Sequence, residues 1–228
     1  MLQSWQLTLA RRLVAECLGT SLLLTAVVGS GIMGVRLADG NVAIALLANA
    51  IATGAALVAL ILTFGPISGA HFNPAVSLAE TLAGRLPSSA LAAYAVVQVA
   101  GGFAGVALAH SMFGEPLYSA SQTVRSGWPL VLSEFVATFG LLSVIFSCAR
   151  NSPAMVPFAV GAYITGAYWF TASTSFANPA VTLARAATDS FAGIRPVDVL
   201  PFVLAQLTAT VAASWLFRWL MPSNEVER

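Results

Sequence analysis

Two asparagines hold the most specific chemistry in this sequence. Asn73 opens the stretch Asn73-Pro74-Ala75-Val76-Ser77-Leu78-Ala79, and Asn178, 105 positions later, opens Asn178-Pro179-Ala180-Val181-Thr182-Leu183-Ala184. Proline is tolerated in a helix only in the first turn, where its missing N–H had no partner. Each stretch therefore starts a helix with asparagine at its cap, and the side-chain amide can donate to the oxygen of a passing solute. The other candidates are ionisable. Glu16 and Glu134 lie inside apolar runs, where an acid either couples to protons or ions or serves as a fixed acceptor for the N–H groups of an unwound loop. His71 stands two residues before Asn73 and reads as a loop-holding neighbour of the site, with a proton relay as the alternative. Cys17 and Cys148 have no CxxC partner and no Cys/His cluster nearby, and His110 ends an apolar run without a further signal. No metal, cofactor or disulfide framework is indicated, and no catalytic constellation forms, so the chain is not expected to be an enzyme.

Elements must hold these groups at depth. The 228 residues are 58% hydrophobic and 8% charged, and the mean hydropathy is +0.84, which marks an integral membrane protein. All ten basic residues are Arg and the net charge is +1, leaving no basic field for nucleic acid. Apolar runs cover about 13–32, 41–64, 88–110, 129–148, 153–172 and 197–220. Gly65-Pro66-Ile67-Ser68-Gly69 is expected to end the second run. Each Asn-Pro stretch, in contrast, meets a breaker after about ten residues (Gly84 and Pro87; Gly193 and Pro196), about half the length a bilayer requires. The expected fold is an all-α membrane protein with six transmembrane helices and two re-entrant half-helices.

The chain also repeats itself. Ala15-Glu16-Cys17-Leu18-Gly19-Thr20 matches Ser133-Glu134-Phe135-Val136-Ala137-Thr138, and Gln98 matches Gln206. The repeats cover about 11–110 and 129–220, joined by a polar linker at about 111–128, and residues 1–228 read as one channel domain. Three spans per repeat is an odd number, so the second repeat is inverted and the half-helices enter from opposite faces, their Asn-Pro starts meeting near the midplane. Irregular backbone at that depth must line a wet cavity, which implies a pore. Two helix N-termini facing across it repel cations and leave passage to neutral solutes. Arg11, Arg12, Arg85, Arg150, Arg218 and Arg228 on one side, against Arg36, Arg125, Arg185 and Arg195 on the other, place both termini in the cytoplasm and suit a plasma (inner) membrane. Trp5, Trp128 and Trp219 read as an interfacial belt. Small residues in the third span (Gly101, Gly102, Ala104, Gly105) and the sixth (Ala209, Ala212, Ala213) read as helix packing.

Ser68-Gly69-Ala70-His71-Phe72-Asn73-Pro74-Ala75-Val76 and Asn178-Pro179-Ala180, together with Glu16, Glu134, Gln98 and Gln206, resemble the aquaporin (major intrinsic protein) family, in its broad-pore, aquaglyceroporin-like bacterial form. The resemblance covers about residues 11–220. It implies a passive channel, a right-handed six-helix bundle with two half-helices, and a homotetramer with one pore per subunit in the lipid bilayer. It also implies a selectivity filter at Thr53, Gly166, Ser175 and Val181, with Tyr168 as a competing register for the fifth-span position. The family usually carries Arg where this chain has Val181, and water-selective members place a bulky aromatic and a His at the positions of Thr53 and Gly166. The expected opening is wider and more apolar than a water filter. Glycerol-like polyols, urea, undissociated metalloid acids such as arsenous acid, and water fit it. Ser173-Thr174 replaces the Ser-Gly of the first loop, from which a different loop path is expected.

Arg185 lies four residues beyond Val181, on the same helix face, and its symmetric counterpart is Glu80. It either lines the outer vestibule and restores part of the missing charge, or pairs with Asp189 or loop carbonyls. Two other functions remain beside the channel: a proton-coupled secondary transporter using Glu16 or Glu134, and a structural junction protein without flux.

Overall fold

The computed structural model describes residues 7–221, so Trp5 and Arg228 of the expected belt and charge pattern lie outside the described residues. Eight α-helices occur among them: α1 Leu9–Leu37, α2 Val42–Ser68, α3 Pro74–Leu82, α4 Ser88–Phe113, α5 Trp128–Asn151, α6 Val156–Phe170, α7 Pro179–Arg185 and α8 Val199–Leu220. The two short helices are α3 and α7, of 9 and 7 residues, or ~14 and ~10 Å.

Five helices are long and apolar enough to cross a membrane: α1, α2, α4, α5, and α8 with its leading 3-10 turn Pro196–Asp198. The sixth, α6, has only 15 residues. Pro153 and Pro157 make its beginning tight, and a 3-10 turn at Pro153–Met155 extends it to ~28 Å, close to the ~30 Å hydrocarbon thickness. The second span departs from expectation at its end. Gly65 and Pro66 do not break α2; the helix continues through them to Ser68 and stops at Gly69, whose φ of +95° closes it with a left-handed cap.

The small residues set how closely the spans approach. A Cβ on Gly101 would stand 2.2 Å from the Cys17 carbonyl oxygen, and one on Gly105 would stand 2.2 Å from that of Ser21, so α4 lies backbone to backbone on α1. Gly54 and Gly161 do the same for α2 and α6. With lipid as apolar as leucine, such contact replaces the hydrophobic drive that packs helices in water. Trp128 and Trp219 are exposed near span ends, whereas Trp169 faces outward and its neighbour Tyr168 is buried.

The segment between the repeats is packed against the second re-entrant loop and its surroundings. Ser119 and Ser121 N–H groups donate to Ala187 O and Ala186 O, and Arg195 N donates to Thr123 O. His110, buried at the end of α4, contacts Pro116 O through Nδ1 and Thr188 Oγ1 through Nε2.

Candidate functional site

The site is built by two loops that the backbone forms in the same way twice. Asn73 caps α3 by accepting from Ala75 N at 2.8 Å, and Asn178 caps α7 by accepting from Ala180 N at 2.9 Å and Val181 N at 3.3 Å. Ahead of each asparagine, residues one, three and four positions back have positive φ: Phe72, Ala70 and Gly69 in the first loop, Ala177, Ser175 and Thr174 in the second. This alternation of hand turns successive N–H groups to one side, making a concavity that suits a carboxylate. Glu16 fills the first, accepting from His71 N at 3.0 Å and Phe72 N at 2.7 Å. Glu134 fills the second, accepting from Phe176 N at 2.9 Å and Ala177 N at 2.8 Å.

Equivalent amides complete each carboxylate. Gln98 Nε2 donates to Glu16 and to Ser77 Oγ, at 2.8 and 2.9 Å; Gln206 Nε2 donates to Glu134 and to Thr182 Oγ1, at 2.6 and 2.9 Å. Ser68 Oγ adds a bond to Glu16 at 2.6 Å. Both acids are fully buried, and every one of these contacts to them ends on a carboxylate oxygen as the acceptor. The ring Nδ1 of His71 lies 3.0 Å from Ser77 Oγ, so the histidine joins this scaffold at the edge of the conduit.

With their N–H groups turned to the acids, the loops present carbonyls to one another's asparagines. Asn73 Nδ2 donates to Ala177 O and Asn178 Nδ2 to Phe72 O, each at 2.8 Å. One N–H of each amide remains for a solute. Pro74, Ala75, Pro179 and Ala180 form the first turns behind the asparagines, with Ala75 and Ala180 fully buried.

The expectation of a different path for the second loop is corrected. Ser68 Oγ accepts from Ala70 N at 3.1 Å and Ser173 Oγ accepts from Ser175 N at 3.2 Å, the same turn at the same place. Thr174 takes the left-handed conformation that Gly69 takes in the first loop, which strains a β-branched residue. Arg125 holds it there: the guanidinium donates to Ser173 O at 3.0 Å, Thr174 Oγ1 at 3.4 Å, Gly193 O at 2.7 Å and Phe191 O at 3.4 Å. Sequence reasoning missed this arginine because it sits in the segment read as a linker.

A continuous cavity of about 1830 Å³ runs past both asparagines, from the end near Arg12, Arg85 and Arg218 to the end near Arg185. Matched residues wall it: Leu23 with Leu141, Val27 with Ile145, and Val76 with Val181. Nothing in these walls competes for a solute's hydrogen bonds. At the first end, Arg85 forms two bonds to Glu80, at 2.6 and 2.7 Å, and this hydrogen-bonded pairing raises the arginine's pKa. At the second, Thr53, Tyr168, Ser175 and Val181 all line the cavity, with the Thr53 and Tyr168 hydroxyls 3.3 Å apart.

Gly166 is the exception among the expected filter residues. It is exposed, and a Cβ there would find no atom nearer than 3.9 Å. Tyr168, two residues on, is 3% exposed and occupies the fifth-span position. The short α6 places residue 168 on the inward face and residue 166 on the outer one, so a large aromatic lines this end of the cavity where a small residue was expected.

The sequence profile described as Major intrinsic protein matches residues 1–175. This chain belongs to that family. The major intrinsic protein described here is 56% identical over 221 residues to aquaglyceroporin AqpS of Rhizobium meliloti, covering 96% of this chain and 94% of the relative. It is 31% identical over 216 residues to aquaporin NIP1-4 of Oryza sativa, covering 92% and 77%. The structure of the aquaglyceroporin from Plasmodium falciparum superposes with a TM-score of 0.75 at 19% identity, covering 94% of this chain and 98% of that one, which shows the shared fold. As a member of this family the protein is an integral, multi-pass membrane channel, and the family is one of channels rather than enzymes.

Proposed function

We propose that this major intrinsic protein is a passive channel for small uncharged solutes, namely glycerol-like polyols, urea and undissociated metalloid acids such as arsenous acid, together with water. The observation that carries the reading is the composition of the cavity end near α7, where apolar Val181 stands with the hydroxyl-bearing Thr53, Ser175 and Tyr168. Those groups offer hydroxyls to a solute's oxygens and an apolar face to its carbons, the combination a polyol needs. The relative named an aquaglyceroporin supports the same cargo class.

Channel action is favoured over proton coupling by the bonding and placement of the two acids. Glu16 accepts four hydrogen bonds and Glu134 three, all of them from the loops and helices they brace. Neither acid is among the residues that line the cavity, so neither meets a passing solute. The assembly is a homotetramer in the plasma (inner) membrane with both termini cytoplasmic, each subunit carrying its own pore.

Stopped-flow swelling of proteoliposomes with water, glycerol, urea and arsenous acid as separate permeants tests the reading. Flux should follow the solute gradient alone. Water flux without glycerol flux would overturn the broad-filter reading, and flux driven by an imposed proton gradient would overturn the channel itself.

A further inference from the structure

Arg185 ends α7 one helical turn beyond Val181, and the cross-links described above give its charge no task. Its side chain is 2% exposed and lines the cavity. Nε donates to Ala192 O, and the guanidinium carbon lies 3.4 Å from the centroid of the Phe176 ring. The expected pair with Asp189 does not form; that carboxylate accepts from Gln122 N instead. Among the described residues Arg185 has no ion-pair partner, and Nη1 and Nη2 have no protein acceptor. The loop carbonyl thus holds only one of the guanidinium's three nitrogens.

A buried cation without a counter-charge is costly. Within a membrane such a group marks the path of a solute more often than a packing device. Fold symmetry does not demand it, because the equivalent position in the first repeat is Glu80, neutralised by Arg85. The seat also orients the group: Nε is pinned and the aromatic face fixes the guanidinium plane, leaving the Nη1–Nη2 fork for a ligand. A second buried polar group at this end is unpartnered, Ser175 Oγ.

We propose that Arg185 is the specificity-determining cation of this conduit, its fork binding two oxygens of one uncharged solute, a vicinal diol or an undissociated oxyacid. The planar fork matches two acceptors on one molecule with two parallel bonds, whereas on water or urea both donors must converge on a single oxygen at poorer angles. Val181, on the same helix face, meets the solute's carbon side. The inference rests on the small-solute channel reading above and adds how that channel ranks solutes of similar size. The cation stands one turn, ~5 Å, from the position where the family resemblance places the filter arginine.

The test compares glycerol, urea and water permeation of the full chain in proteoliposomes with that of Arg185→Lys, which keeps the charge and loses the fork, and Phe176→Leu, which removes the aromatic seat. The glycerol-to-urea permeability ratio should fall about tenfold in Arg185→Lys, the worth of one hydrogen bond to a charged group, with water flux retained. Phe176→Leu should lower the same ratio by a smaller factor. Unchanged ratios in both variants would overturn the proposal. So would loss of water flux in both, since Arg185 would then be a structural brace. A parent protein that passes no glycerol would overturn the channel reading instead, which separates the two failures.

Discussion

Asn73 and Asn178 each donate to the carbonyl that precedes the other, Asn73 to Ala177 O and Asn178 to Phe72 O, both at 2.8 Å. The groups proposed to serve the solute are therefore also the fastening between the repeats. Asn178→Ala removes the cap of α7 and leaves the buried Phe72 carbonyl without its donor. Stability should fall by roughly 2–4 kcal/mol, the sum of a lost cap and an orphaned acceptor. Thermal unfolding in detergent, followed beside swelling assays, should show both a lower Tm and lost flux.

Val181→Arg puts a long cation into the cavity one turn before Arg185. Two like charges on one helix face repel, and the new side chain fills the space opposite Thr53 and Tyr168. Glycerol and arsenous acid flux should drop by about tenfold or more, an added barrier of roughly 1.4 kcal/mol or more from the narrowed passage, while water flux falls less. Equal loss of every permeant would show that Val181 does not set the aperture.

Tyr168→Ala and Gly166→Ala separate the two registers of the fifth-span filter residue. The first empties a buried position that touches Thr53, so the ratio of glycerol to water permeability should rise. The second adds a methyl to an exposed helix position with no neighbour closer than 3.9 Å. It should leave flux unchanged and, by helix propensity, raise stability by up to ~1 kcal/mol.

Glu16→Gln and Glu134→Gln each replace a carboxylate that only accepts with an amide whose NH2 must face loop N–H groups. A cost of roughly 1–3 kcal/mol follows at each site. Glu16→Gln should be the more damaging, because Ser68 Oγ also donates to that acid. Uptake by the parent protein should be indifferent to an imposed proton gradient, measured with a pH-sensitive dye inside the vesicles.

Arg125→Met removes donors from Ser173 O, Gly193 O and Phe191 O and releases Thr174 from its strained conformation. Flux should fall although no cavity-lining side chain has changed, and Thr174→Gly in the same protein should recover part of it. Absence of recovery would show that the arginine acts elsewhere than on the loop.

The duplication made much of the fold legible. The correspondence of Glu16 with Glu134 and of Gln98 with Gln206 defines the two repeats, and an odd number of spans in each makes them inverted. Helix ends were less legible: Pro66 lies within α2, and the helix ends only at Gly69, whose left-handed cap leaves no signal distinct from the neighbouring Gly65-Pro66. The fifth-span residue could not be chosen from spacing, since α6 begins in a 3-10 turn and its register depends on where that turn ends. Arg125 and the aromatic seat at Phe176 had no signal of their own. Each acts across long sequence separation, on carbonyls or on a guanidinium, and a carbonyl leaves no mark in sequence.

Thr174 depends on a side chain that belongs to neither repeat. Glycine does in the first loop by itself what threonine does in the second with outside help, so the two halves are alike in shape without being equally self-sufficient. The fourteen residues from Gly114 to Gly127 therefore act as a brace behind the second loop, holding a backbone torsion from outside the conduit. Shortening or exchanging that segment, a change that would ordinarily count as loop engineering, amounts to editing the pore.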